Sequence, residues 1–422
     1  MNLQLINFDA NLLLPLALLA VAGTLIVYHH FGYPLLIARL ARKKADQHQP
    51  QAPILYPELT AGSEKEIGSE FSERSELKDG TDEKDWPGIT LLIPIYNEGA
   101  LVAEKLRNLA IVDYPTDKLT IRLLFDGCTD NSLQFAKDAL NEPLCQHLNC
   151  ELMDSPVNKG KLAQLNSAIS EAGDEIVALT DLSALIAVDS LKIAALWFEK
   201  QEVGAVCATY RFLSSAEVQE QSYWQYQCAI KQAESDLGST LGAHGAFYLI
   251  RQSLFTPLSA DTINDDFILP CEVIRQGYRV IYEPRMVAIE LENSALEQDF
   301  KRRLRISAGN MQQSLRLTQL LSPSYGTTGW MFFSCKWLRP FIPWCFVICL
   351  LSSIWLSVSS LIFLPVLLVQ VLVYALVLKQ EFAPSKSGIL IKLHYLISGH
   401  FIGLIGGLCY LRGDYKTSWK RG

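Results

Sequence analysis

Four acidic positions stand out by residue type and spacing. Asp126 and Asp181 each end a short apolar run, and Asp265 and Asp266 are adjacent. A carboxylate accepts hydrogen bonds, takes a proton as a base, or offers hard oxygen to a divalent cation. Two side by side can raise one pKa. Basic groups accompany them. Lys161 follows Asn158-Lys159-Gly160, and Lys301, Arg302, Arg303 and Arg305 crowd one short segment. A lysine at a helix start is well placed to meet phosphate, and a glycine before it permits close backbone approach. Each feature taken singly has a plainer reading: Asp126-Gly127 and Asp181 as turns, Asp265-Asp266 as an acidic helix start, Lys159 and Lys161 as solvated, and the arginines as a basic face near lipid headgroups.

The elements that must position these groups alternate in period. Ile89–Pro94 is a short apolar run ended by proline and followed by Tyr96-Asn97-Glu98, which suits a buried parallel strand. Residues 100–111 carry Leu101, Val102, Lys105, Leu106 and Leu109 at helical spacing. Residues 119–125 read as a second strand ended by Asp126, 131–140 and 161–172 as helices, and 175–180 as a strand ended by Asp181. Strands alternating with helices predict a parallel α/β sheet, in which ligands bind beyond the carboxyl ends of the strands. Tyr96, Asn97, Glu98, Asp126 and Asp181 all fall at such ends.

In this order the motifs resemble the family-2 glycosyltransferases, the group of cellulose, hyaluronan and chitin synthases, from about Ile89 to Gln313. Ile93-Pro94-Ile95-Tyr96-Asn97-Glu98 resembles that family's first-strand signature, and Asp126-Gly127-Cys128-Thr129-Asp130 its DGSTD turn, with Cys128 where serine is usual. Asn158-Lys159-Gly160-Lys161 with Leu165-Asn166 resembles the NxGKxxALN segment, and Asp181-Leu182-Ser183 falls where the DxD metal motif stands, with Ser183 replacing the second aspartate. Asn264-Asp265-Asp266 resembles the ED or DD motif. Arg302 to Ile306 occupies the place of QxxRW, retaining Arg305 but not the glutamine or the tryptophan. Gly242–Ala246 resembles the small-residue segment lining the acceptor side, with His244 read as a packed core histidine.

The resemblance implies a Rossmann-like nucleotide-diphospho-sugar transferase (GT-A) domain of class α/β, flanked by transmembrane helices. It implies donor contacts at Pro94, Tyr96, Asn97, Glu98, Asp126, Lys161 and Arg302. A divalent cation, Mg or Mn, would be held at Asp181, and Asp266 would be the base with Asp265 beside it. Arg305 would neutralise the departing diphosphate. The reaction expected is inverting transfer of a hexose or N-acetylhexosamine from a nucleotide sugar, with UDP the expected carrier, to a glycan or lipid-linked acceptor. The missing tryptophan removes a stacking surface for an acceptor and argues against processive polymerisation. The rivals are a degenerate scaffold of the same fold and a nucleotidyltransferase. The second should carry a glycine-rich basic loop after the first strand, which Tyr96-Asn97-Glu98-Gly99 is not.

Half of the 422 residues are hydrophobic and 19% are charged, against about a quarter in soluble domains. The deficit lies at both ends. Leu12 to Tyr28 is uncharged and is followed by Arg39, Arg42, Lys43 and Lys44, which predicts an uncleaved anchor over 1–40 with its N-terminus outside. Residues 41–88 are expected to form a linker, basic and then acidic and disordered, and 89–320 the cytoplasmic catalytic domain. Pro340 to Leu378 carries no charge and is about 58 Å long as a helix, close to two crossings of a core about 30 Å thick. With an interfacial stretch at 330–337 and an apolar run at 388–411, residues 321–411 are expected to hold about three segments before a basic tail, 412–422. Three crossings would leave that tail outside against the positive-inside tendency, unless one segment is interfacial or re-entrant. The chain is thus expected to be a multi-pass protein of the cell inner membrane, capable of self-association. The net charge of −7 argues against a nucleic-acid partner. The ten cysteines form no CxxC pair and read as buried hydrophobes in a reducing compartment.

Overall fold

The structure is a computed structural model that describes residues 10–47, 84–212, 218–291, 296–383, 385 and 387–414. Helices α1 (Ala10–Val27) and α2 (Tyr33–Gln47) are joined without a break by a π-helical turn at Tyr28–Gly32. The α/β region then runs β1 (Ile89–Ile95), α3 (Gly99–Ala110), β2 (Leu119–Asp126), α4 (Ser132–Leu140), β3 (Cys150–Ser155), α5 (Lys161–Ser170) and β4 (Ile176–Thr180). It continues with β5 (Ala184–Ile186), α6 (Ser190–Phe198), β6 (Val203–Phe212), α7 (Val218–Leu237), β7 (Phe247–Arg251), α8 (Asp265–Arg275), β8 (Arg279–Glu290) and α9 (Leu296–Arg316). Helices α10 (Gly326–Met331), α11 (Ile342–Ser359), α12 (Leu364–Phe382) and α13 (Gly388–Arg412) follow.

The eight strands form one sheet in the order β3-β2-β1-β4-β7-β6-β8-β5. Its first half is parallel, as the alternating pattern predicts: β1 pairs with β2 and β4, and β2 with β3. Its second half departs from that expectation. β7 runs antiparallel to both β4 and β6, β6 is parallel to β8, and β5 is antiparallel to β8. This reversal has a consequence for the site. Because Thr180 pairs with Phe247, the segment entering β7 lies at the carboxyl end of β4, beside Asp181.

Residues of β1 are buried on both faces, so the strand reads as one continuous apolar run. On one side Leu91, Ile93 and Ile95 pack with α3, α4 and α6. On the other, Leu92, Val177 and Tyr248 pack with α5, α7 and α8. That second core also takes in Tyr33, Ile37 and Ala41 of α2 and Met331 and Phe332 beyond α9. Helix α2 is therefore built into the core of the sheet domain. Residues 41–47, expected as linker, are helical, and Tyr114 Oη donates to the Pro87 carbonyl at 2.6 Å, fixing the chain before β1. The acidic stretch 48–83 and the tail from 415 lie outside the described residues. The stretch expected to be interfacial, 330–337, has one face closed over by the domain, with Phe332, Ser334 and Lys336 buried and Phe333 exposed. Four helical segments among the described residues are long and apolar enough to cross a membrane: Leu12–Asp46, Pro323–Ser359, Leu361–Phe382 and Gly388–Arg412.

Candidate active site

Three loops at the carboxyl ends of β1, β2 and β3 are laced together by side chains. Asn97, with φ of 53°, turns its Oδ1 to accept from the backbone N–H of Thr129 at 2.8 Å and of Asp130 at 3.3 Å. Asp130 in return accepts from Gly99 N–H at 3.0 Å, and Ser132 Oγ accepts from Glu98 N–H at 3.2 Å. Tyr96 is half-buried in the same loop. Asp126 is fully buried, and its carboxylate accepts from the N–H of Lys159 at 2.7 Å, the N–H of Gly160 at 2.8 Å and Gln164 Nε2 at 3.1 Å. Asp126, expected at the donor, thus ties the carboxyl end of β2 to the segment that leads into Lys161. Gly127 is required beside it. Its φ is 66°, and a Cβ there would stand 2.4 Å from the Asn158 nitrogen.

Lys161, at the start of α5, donates to Asp181 Oδ1 at 3.0 Å and lies 3.8 Å from Asp265 Oδ2. Burial opposes its charge, but Asp181 and Asp265 outweigh that and raise its pKa. Pro94, Thr180, Gly245, Tyr248 and Asp265 line the same small recess. Gly245 is the pivot of the arrangement. A Cβ on it would lie 3.4 Å from Asp266 Oδ2 and 3.5 Å from Asp181 Oδ2, so this glycine keeps open the space that the two carboxylates face.

Asp265 and Asp266 form the first turn of α8, where the helix dipole favours negative charge. Burial nevertheless raises the Asp266 carboxyl above the usual carboxylate range, and the neighbouring Asp265 adds to this; Lys161 and Arg305 oppose it. Pro270, inside α8, has no N–H to give to the carbonyl of Asp266. That carbonyl instead accepts from Ala243 N–H at 2.8 Å, which ties the Gly242–Ala246 loop to the acidic pair. Arg305 of α9 donates to the Ile263 carbonyl at 3.3 Å, close enough for its charge to act on Asp266. Arg302 hydrogen-bonds Tyr210, whose hydroxyl also feels the charge of Asp181.

Residues 87–309, just over half the chain, match the sequence profile described as Glycosyltransferase like family 2. The chain belongs to that family. Poly-beta-1,6-N-acetyl-D-glucosamine synthases of Staphylococcus epidermidis and Staphylococcus aureus are 26% and 25% identical over 237 residues, covering 54% of this chain and 56% of theirs. The chain thus spans about half the length of the curated relatives it matches. The mannosyltransferase PcManGT of Pyrobaculum calidifontis, solved with GDP-Man and Mn2+, shares the fold with a TM-score of 0.67 at 21% identity, over 94% of this chain and 100% of that one.

Within this family 2 chain the fold also brings up residues that sequence reasoning passed over. Lys105 is completely buried on α3 and donates to Thr180 Oγ1 at 2.8 Å and to the Ala184 carbonyl, bracketing the Asp181-Leu182-Ser183 turn from behind. Burial lowers it to about 7, against the pull of Asp181 and Glu290. The signal was a lysine within the apolar stripe of an amphipathic helix. Tyr248 Oη is buried at the recess with no hydrogen-bond partner among the described residues. Burial and the Asp265–Asp266 pair raise its pKa, so it stands there as a neutral hydroxyl. His244 is packed between Tyr210 and Trp224, with ring centroids 5.8 and 5.2 Å away, as a core histidine. Among the described residues no group of three or more His, Cys, Asp or Glu side chains is arranged to hold a metal. Asp181 is partly exposed, with Oδ1 on Lys161 and Oδ2 toward the Gly245 gap, whereas Ser183 is buried. One carboxylate completed by phosphate oxygens and water is a donor set that suits Mg2+ or Mn2+.

Proposed function

We propose that the chain is an inverting glycosyltransferase that moves a sugar from a nucleoside diphosphate, UDP by preference, to the hydroxyl of a glycan or lipid-linked acceptor. The observation that carries this reading is the gap at Gly245, with Asp181 and Lys161 on one side and Asp266 on the other. The laced loop at Tyr96, Asn97 and Glu98 borders the nucleotide, and Asp126 holds the segment that presents Lys161 to the diphosphate. Asp181 would hold a divalent cation, which supplies charge neutralisation at the diphosphate when bound. Asp266 takes the proton of the acceptor hydroxyl as its oxygen bonds to the anomeric carbon. The carbon–oxygen bond to the diphosphate breaks, and the anomeric configuration inverts. Asp265 faces Lys161 and holds its charge, and Arg305 offsets charge around Asp266. The catalytic domain sits on the cytoplasmic side of the cell inner membrane, where nucleotide sugars are made.

Protein purified in lipid and screened against nucleotide sugars should release nucleoside diphosphate with at least one donor. Asp266→Asn should cut kcat by about 10²–10⁴-fold with donor affinity retained. Asp181→Ala and chelation by EDTA should weaken donor binding as well as turnover. An Asp266→Asn enzyme with near wild-type turnover would overturn the assignment.

A further inference from the structure

The Gly242–Ala246 loop bonds to both aspartates, Ala243 N–H donating to the Asp266 carbonyl at 2.8 Å and Asp181 N–H to the Ala246 carbonyl at 3.3 Å, and the residues that hold it lead back to α2. Two buried ionisable side chains of α7, Lys231 and Glu234, grip the peptide that enters the loop from opposite sides. Lys231 Nζ donates to the carbonyls of Gly242 at 2.6 Å and Leu241 at 3.3 Å. Glu234 Oε2 accepts from Leu241 N–H at 3.1 Å and from Thr240 Oγ1 at 3.5 Å. Gly242, with φ of 76°, then turns the chain so closely over α8 that a Cβ would stand 2.4 Å from the Phe267 ring.

Glu234 has no exposed surface, and its other oxygen, Oε1, accepts from Tyr33 Oη at 3.1 Å. Tyr33 is the first residue of α2, immediately after the π-helical turn that ends the apolar anchor, and is itself 1% exposed. A buried carboxylate deprived of a hydrogen-bond donor bears the desolvation penalty of that oxygen. It relieves this by shifting toward other donors, and the donors in reach are those of the loop.

We propose that Tyr33, acting through Glu234, is a positioning residue for the Gly242–Ala246 loop, so that the reaction centre is complete only with the anchor helix docked. The path is continuous: Tyr33 hydroxyl, Glu234 carboxylate, Leu241 N–H, the Gly242 turn, and Ala243 N–H on the Asp266 carbonyl. The functional half of this inference rests on the reading of Asp266 as the base; the clamp itself does not.

The test uses full-length protein in lipid nanodiscs. Tyr33→Phe deletes one hydroxyl and keeps the ring that packs against Trp330 at 5.4 Å. Tyr28→Phe is the control, since Tyr28 Oη bonds Ser334 Oγ at 2.7 Å and accepts from Trp330 Nε1 at 3.1 Å, groups outside the path from Tyr33 to the loop. Tyr33→Phe should speed amide hydrogen exchange across residues 240–246 and lower kcat about tenfold, short of the roughly 10²-fold that a 1 Å misplacement costs. Donor affinity should stay at the wild-type value, while Tm should fall, because the buried Glu234 oxygen loses its donor. In a double-mutant cycle with Glu234→Gln the two losses should be less than additive. Unchanged exchange in Tyr33→Phe would overturn the clamp, as would equal loosening by Tyr28→Phe. Faster exchange with unchanged kcat would overturn its part in positioning. If wild type transfers no sugar, the glycosyl-transfer reading fails while hydrogen exchange still decides the clamp.

Discussion

As the proposed base, Asp266 has to be ionised when the acceptor arrives, and its surroundings oppose that. Burial and Asp265 raise its pKa, so its protonated, inactive form persists above the ordinary carboxylate value of about 4. The acidic limb of kcat/KM against pH should therefore lie above that value, and Asp265→Asn should move the limb to lower pH by removing one of the two causes. A limb that stays put would assign the titration to another group. The same shift fixes a stability sign. A carboxyl whose pKa is higher folded than unfolded binds more protons in the folded state, so stability falls as pH rises through that window, and the penalty is complete at neutral pH. Asp266→Asn removes it. Thermal unfolding at pH 7 should show a Tm no lower than wild type in the variant with the lowest turnover, whereas a structural aspartate would give a lower one.

At the scale of elements, the site depends on which carbonyls the helices leave free. Proline within a helix costs about 3 kcal/mol relative to alanine, yet Pro270 stands one turn after Asp266. Its missing N–H leaves the Asp266 carbonyl to Ala243. Pro270→Ala supplies a competing N–H, so kcat should fall about tenfold while Tm holds or rises; an unchanged kcat would show that the Ala243 bond is dispensable. Such relations mark the limit of what the sequence discloses. β1, β2 and β4 are apolar runs each ended by a polar group, so both the strands and Asp126, Asp181 and Lys161 could be read from local pattern. β6, β7 and β8 pair across long separations, and between β6 and β8 the register jumps at Ala208 and Thr209, past Pro284, Arg285 and Met286. No local period encodes that. Gly245, Tyr248 and Ala243 acquire their places only through β7 running antiparallel to β4, and Lys105 only through α3 packing under the Asp181 turn.

At the scale of the whole molecule, the packing of α13 bears on which side of the membrane residues 412–422 lie. α11 and α12 form an antiparallel hairpin, joined by Gln370 Nε2 donating to Ser353 Oγ at 2.6 Å, so the end of α12 returns to the level where α11 leaves the catalytic domain. All the contacts of α13 that can be placed lie at that same level. His394 pairs with Glu381 at the end of α12, and His400 meets His30 at 2.9 Å beside the start of α2. Gly403 stands against Pro343 near the start of α11. Gly406 and Gly407 approach Leu304, Ser307 and Met311 of α9, and Arg303 lies over the Tyr395 ring at 4.6 Å. Contacts on the domain side at residues 394, 400, 403 and 407 fit a helix laid along the membrane face beside basic, amphipathic α9. We therefore expect three crossings, α1, α11 and α12, with α13 interfacial. This removes the conflict in the sequence, because Arg412, Lys416, Lys420 and Arg421 then remain on the side of Arg39 to Lys44. Protease sites placed at Glu73, in the turn at Leu361, and after Gly422 test it in intact cells and in inverted vesicles. Only the Leu361 site should be cut from outside intact cells, and the Glu73 and C-terminal sites should be cut only in inverted vesicles. Cleavage after Gly422 from outside would mean that α13 crosses. Cleavage at Glu73 from outside would reverse the whole chain and part the active site from cytoplasmic nucleotide sugars.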